Sequence, residues 1–273
     1  MRIYWFWPYI HADQLVVPAS VPRPGDELVV HALRGRVDRD ASAGVPITVQ
    51  ADLAPPGDQR ERSPAWFANR ATTYLQRVFA RRRALERGHF DICHVVFANY
   101  FTDGIDFRLL ARRAALVWEV HDVVPHESRL PEGVERRVLD FFYKAPGAIV
   151  VRHEYVRDEL VDKFNVARDR ITVVPWTVPE VAPPPRTAPH DRRTVLMFGT
   201  LRRNKGVSIL LEALERLPDL DLNMVFAGRG FPDVEAEIHA AAERDPRIRF
   251  ESGYVSAERK DQLYREADLV VLP

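Results

Sequence analysis

Val195-Leu196-Met197-Phe198-Gly199-Thr200-Leu201-Arg202-Arg203-Asn204-Lys205-Gly206-Val207-Ser208-Ile209-Leu210-Leu211-Glu212-Ala213-Leu214 reads as a strand, a glycine turn, a basic loop and a helix. The opening apolar run suits a strand buried on both faces of a parallel sheet. Gly199 turns the chain where a phosphate can approach the backbone closely. The helix that follows offers free N–H groups and a partial positive charge at its start. Lys205 adds a full charge beside that end, so the arrangement suits a diphosphate. The alternative is a solvated basic turn between strand and helix.

Downstream the alternation continues. Strands are expected at 194–198, 222–227, 248–250 and 268–272, and helices at 206–216, 233–243 and 257–266. Upstream, short β-branched and aromatic runs at 2–7, 27–32, 47–50, 91–97, 115–120, 148–151 and 171–174 alternate with helical patterns at 65–87, 105–113, 133–144 and 155–164. Strand-helix-strand alternation predicts an α/β fold with parallel sheets. Between the two series lie five prolines within residues 179–189, which cannot continue a helix or a central strand. The expected organisation is a Rossmann-like domain over 1–178, a semi-rigid proline-rich linker over 179–193, and a second Rossmann-like domain over 194–273. About six strands are usual for such a domain. The second therefore reads as incomplete.

Bulk properties exclude several classes. Net formal charge is zero over 273 residues, with 39 basic and 39 acidic side chains, which argues against a nucleic-acid binder. Cys93 is the single cysteine, so no internal disulfide can form, and a reducing compartment fits. Cys93 and His94 fall inside an expected strand, and with His89 they lack zinc spacing, so no metal is expected. The apolar start, Met1 to Pro8, is too short for a signal peptide, and no apolar run approaches the ~18 residues of a membrane span. A cytoplasmic protein is expected, with peripheral contact at the inner face of the membrane left open. On helix 65–87, Arg70, Arg77 and Arg81 fall on one face and Phe67, Ala71, Leu75 and Val78 on another. This reads as a solvated arginine face over a core stripe, or as a basic face for anionic lipid.

A second polar constellation is Trp118-Glu119-Val120-His121-Asp122-Val123-Val124-Pro125-His126-Glu127. His121 and Asp122 follow a strand directly, and ligands of open α/β sheets sit at the carboxyl ends of strands. A lone loop histidine is ordinarily structural. Asp122, His126 and Glu127 close by bring the functional reading level with that one. Tyr9 after the first strand and His153 after the sixth should also line the crevice, although His153 reads more readily as a helix-start residue than as a catalyst.

The segment around Gly199 resembles the donor-phosphate loop of family 4 glycosyltransferases, Gly-x-Leu-x-x-x-Lys-Gly. Ala227-Gly228-Arg229-Gly230, Phe250-Glu251-Ser252-Gly253-Tyr254 and Leu263-Tyr264-Arg265-Glu266-Ala267-Asp268 resemble the family's next segments, in order. The run from His121 to Glu127 resembles the His-Asn/Asp-x-x-Pro-His-Glu/Asp segment of family members that build exopolysaccharides and glycolipids. The resemblance implies a GT-B fold of two Rossmann-like domains, the first on the acceptor side, and a retaining hexosyl transfer from a nucleoside-diphosphate sugar to a glycan or lipid-linked acceptor. No separate cofactor is implied. Gly199, Thr200, Arg202, Arg203, Lys205 and Gly228 would hold the donor, and His121 and Asp122 would position the sugar and stabilise charge. Three departures stand out. Thr200 occupies the family's arginine position, with Arg202 or Arg203 to compensate. The family's Gly-Gly loop is absent after the first strand, and its paired-glutamate motif does not occur before Pro273. On this basis the chain is expected to be truncated, with weak or no turnover. The rival readings are a non-catalytic nucleotide- or partner-binding homologue and a sugar-nucleotide epimerase.

Overall fold

The computed structural model describes residues 1–10, 14–35, 37, 47–53, 64–96, 104–125, 131–176 and 193–272. The chain divides into two compact units, Met1–Val178 and Pro179–Pro273.

In the first unit, β1 (Arg2–Phe6), β2 (Glu27–Leu33), β3 (Thr48–Leu53), β4 (Ile92–Val96), β5 (Ala115–Val120), β6 (Ala148–Val151) and β7 (Ile171–Val173) form one sheet. Its order is β3-β2-β1-β4-β5-β6-β7, and every pairing is parallel. The order reverses between β1 and β4, which makes their carboxyl ends the switch point where open sheets bind ligands. The strands sit within a residue or three of their expected bounds. Cys93 and His94 lie in β4, and burial pushes the Cys93 thiol up to about 12.

Side chains alternate across the sheet, as its pleat requires. Tyr4, Phe6, Cys93, Val95, Leu116, Trp118, Val120, Ile149 and Val151 share one core. Against them pack α2 (Pro64–Gly88), α3 (Phe107–Leu110), α4 (Glu132–Tyr143) and α5 (Glu154–Phe164), through Leu85, Leu110, Leu139 and Leu160. Ile3, Trp5 and Val96 point the other way, into a smaller core with Leu15, which precedes the short α1 (Val16–Ala19). The pattern at 105–113 forms a 3-10 turn, Gly104–Asp106, and the single turn of α3, shorter than the sequence implied.

Helix α2 overturns the reading of its faces. Arg77 and Arg81 are buried, at 1% and 0% exposure, whereas Leu75 and Phe79 are exposed. Arg81 bonds Asp106, and its guanidinium lies 4.5 Å from the centre of the Phe6 ring. Arg77 lies over Tyr74 and Tyr9. A guanidinium matched by a carboxylate and ring faces can enter a core where an unmatched charge cannot. The two arginines are therefore neither a solvated face nor a lipid-binding one. No described helix is long and apolar enough to cross a membrane.

The second unit has a four-stranded parallel sheet, β10-β9-β8-β11, built from β8 (Arg193–Phe198), β9 (Leu222–Gly228), β10 (Ile248–Ser252) and β11 (Leu269–Val270). Helices α6 (Val207–Glu215), α7 (Pro232–Arg244) and α8 (Ala257–Glu266) alternate with them. Met197, Met224, Phe226, Leu211 and Ile238 form its main core. Of the expected linker 179–193, only Arg193 lies within the described residues, where it opens β8.

Candidate donor loop and first-unit polar cluster

In the second unit the ends of β8 and β9 are stitched together by backbone. Gly199 N–H donates to the Ala227 carbonyl at 3.0 Å, Leu201 N–H to Arg229 at 3.0 Å, and Phe231 N–H to Leu201 at 3.1 Å. The two turns touch: a Cβ on Gly228 would stand 2.0 Å from the Gly199 carbonyl oxygen, and Gly228 has a φ of +132°. Only glycine permits that approach. Leu201 is buried and anchors the loop, while Thr200, Arg202, Arg203 and Lys205 are exposed. A 3-10 turn, Arg203–Lys205, then meets Gly206 at φ 72°, a left-handed residue that starts α6. No side chain caps α6. Its first N–H groups therefore need an outside partner.

The three cations of this loop differ in their commitments. Arg203 Nε donates to Asp233 Oδ2 at 2.6 Å, and that hydrogen bond holds the Asp233 carboxyl below its usual range. The Arg202 guanidinium lies 5.5 Å from the centre of the Phe231 ring. Lys205 forms no ion pair among the described residues.

In the first unit, the face shared by Trp5 and His94 carries a polar cluster that the sequence reading missed. Glu119, two residues before His121 on β5, is 2% exposed. Arg152, directly after β6, donates to its Oε1 through Nη2 at 2.6 Å and Nε at 3.0 Å. His121 Nε2 lies 3.1 Å from the same oxygen, and His94 Nε2 lies 3.8 Å from Oε2. Strand alternation explains the gathering. Glu119 on β5 and His121, directly after it, fall in the same row, and Arg152 continues the matching row of β6. Trp176, after β7, closes the group. Its ring stacks on His121 with centroids 5.4 Å apart and lies 4.3 Å from the Arg152 guanidinium. Burial pushes the Glu119 carboxyl up, but the neighbouring His121 ring and the Arg152 guanidinium outweigh it and hold it below the usual range. Burial pushes the His94 imidazole down to about 4, so His94 is neutral. One signal was present in the sequence: a glutamate within an otherwise apolar strand, next to a strand-end histidine.

The other expected residues are dispersed. Asp122 is half-buried beside His121. Tyr9 accepts a long hydrogen bond, 3.4 Å, from Arg77 on α2. His153 occupies the N-cap position of α5, exposed, with its ring stacked on Tyr155. His126 and Glu127 lie outside the described residues.

Residues 22–180 match the sequence profile of Glycosyltransferase Family 4, and residues 180–273 that of Glycosyl transferases group 1. No curated protein matches the chain by sequence. Among solved structures, HepE of Anabaena, in complex with UDP and glucose, aligns with a TM-score of 0.61 at 16% identity, over 99% of this chain and 73% of its own. The catalytic domain of starch synthase IV from Arabidopsis thaliana, bound to ADP and acarbose, aligns at 0.64 and 12%, over 100% and 78%. A UDP-GlcNAc 2-epimerase from Neisseria meningitidis, bound to UDP-GlcNAc, aligns at 0.61 and 12%, over 99% and 77%. At such identities the likeness is one of fold. Two parallel α/β units with these profiles define a glycosyltransferase of the GT-B class. The family 4 profile spans more than half of the sequence, and the chain belongs to glycosyltransferase family 4.

Proposed function

We propose that the protein transfers a hexose, with retention of configuration, from a nucleoside-diphosphate sugar to a glycan or lipid-linked acceptor in polysaccharide or glycolipid synthesis. The observation that carries this is the loop from Gly199 to Gly206. Its backbone is brought close to Gly228, α6 begins with no side-chain cap, and Lys205 has no carboxylate partner among the described residues. In this reading the diphosphate meets the start of α6 and Lys205, with no cofactor beyond the donor. Gly199, Thr200 and Gly228 let it approach. Arg202 is better placed than Arg203 to replace the family's missing arginine, because exchanging a ring contact costs less than breaking the Arg203–Asp233 pair. His121 and Asp122 supply positioning and charge stabilisation. The domain division at 178/179 and the linker to 193 belong to the same reading.

The test is thermal unfolding with UDP, GDP and ADP in turn, with Lys205→Ala as control. A ligand at about 100 times its Kd adds roughly 2.7 kcal/mol, which is a rise of several degrees. One diphosphate should raise Tm in the native chain and not in Lys205→Ala. No rise with any of the three would count against the donor site. Sugar-nucleotide epimerases share this fold, so acceptor dependence decides between the activities. A transferase releases nucleoside diphosphate only with acceptor present, an epimerase needs none, and a binding homologue releases nothing.

A further inference from the structure

Trp5, Trp7 and Trp118 are buried, whereas Trp176 is 47% exposed. A single apolar side chain at the surface is ordinary. This one is held in place. Its ring lies at 27° to that of His121, with centroids 5.4 Å apart, and the Arg152 guanidinium stands 4.3 Å from its centre. Arg152 Nη1 also donates to the Val174 carbonyl at 3.3 Å, which ties down the segment that carries the indole. Arg152 Nη2 and His121 Nε2 lie 2.6 Å and 3.1 Å from the same oxygen of Glu119, so guanidinium and imidazole stand on one side of the indole. A ring covered on both faces would not remain half-exposed, so its outer face is open as well as fixed. His121 follows β5, Arg152 follows β6 and Trp176 comes after β7. The ring therefore stands at the carboxyl ends of the strands, where open sheets take their ligands.

We propose that Trp176 is a sugar-binding residue: the outer face of its indole stacks on a pyranose ring of the acceptor. A pyranose presents C–H groups on one face and hydroxyls around its edge. The C–H groups meet the electron-rich face of the indole. Because that ring is already fixed, little freedom is lost when a sugar settles on it. The hydroxyls meet polar groups beside the ring, where His121 and Asp122 are half-buried at the end of β5. An alkyl chain would gain from the indole but not from these neighbours. The role rests on the transferase reading and narrows the acceptor within it: a sugar, not a lipid tail, is what the first unit recognises.

The test is NMR of the indole N–H groups in the full chain labelled in tryptophan, with Trp176 assigned from the signal lost in Trp176→Phe. The probes are the methyl glycosides of glucose, galactose and mannose and the trisaccharides maltotriose and cellotriose. At least one should shift the Trp176 signal saturably and leave that of the buried Trp118 in place. Saturation transfer observed on that sugar should then show Kd raised about tenfold in Trp176→Leu, and nearly unchanged in Trp176→Phe, which keeps an aromatic face. No shift of the Trp176 signal with any probe would overturn the proposal. So would equal affinity in Trp176→Leu, since a merely apolar contact predicts that result. Saturable sugar binding with no Tm rise from any nucleotide would sink the transferase reading while the platform stands. A Tm rise with one nucleotide and no sugar shift would sink the platform alone.

Discussion

His94 lies inside β4 with its ring 4.2 Å from that of Trp5, and burial pushes its imidazole down to about 4 from an ordinary 6.5. As pH falls below 6.5, the unfolded chain takes up a proton that the folded chain refuses, and the loss of stability continues until pH approaches 4. Between pH 7 and pH 5 this single group should cost the native protein about 2 kcal/mol. In His94→Gln that part of the acid slope should disappear, and urea midpoints at the two pH values would measure it. A slope unchanged by the substitution would mean that the imidazole is not held neutral. The Glu119 carboxyl, held below its usual range, acts only at lower pH: its contribution is present above its unfolded value and is lost as pH falls through the folded one.

At the scale of elements, α2 shows how pairing overrides pattern. Read alone, its arginines fall on a polar face and Leu75 on an apolar one. In the fold Leu75 and Phe79 face outward, because Arg81 finds Asp106 in the turn before α3 and the ring of Phe6 on β1. Removing one partner takes from the other the opposite charge that it bonds inside the core. Arg81→Met is expected to cost about 3–5 kcal/mol, and Arg81→Met combined with Asp106→Leu much less. Equilibrium urea unfolding of the two variants checks this; equal losses would show that the pair's charges do not depend on each other. Asp106, which Arg81 bonds, sits 25 residues away on another element, which no helical periodicity can reveal.

For the whole molecule, each unit has its own sheet and its own core. Residues 1–178 made alone should therefore melt cooperatively and retain the acid slope set by His94. If the donor loop is where the nucleotide binds, this fragment should show no Tm rise with the diphosphate that stabilises the full chain. Calorimetry with and without nucleotide reads both results. A nucleotide-dependent rise in the fragment would move the binding site into the first unit.

The sequence by itself determined the α/β class, the parallel strands, the two series of elements and the form of the loop around Gly199, because these depend on local periodicity and on glycine. It also marked His121 as a strand-end residue. Tertiary structure alone decided which charged groups are buried and what they meet. Glu119, Arg152 and Trp176 come from the ends of three strands, and only parallel pairing in register brings them to His121. Arg203 is tied to Asp233 by the approach of α7, so its commitment could not be read from the loop. The physical reason is the same in each case. Local signals depend on spacing along the chain, whereas the matching of a buried charge depends on groups that only the folded sheet places side by side.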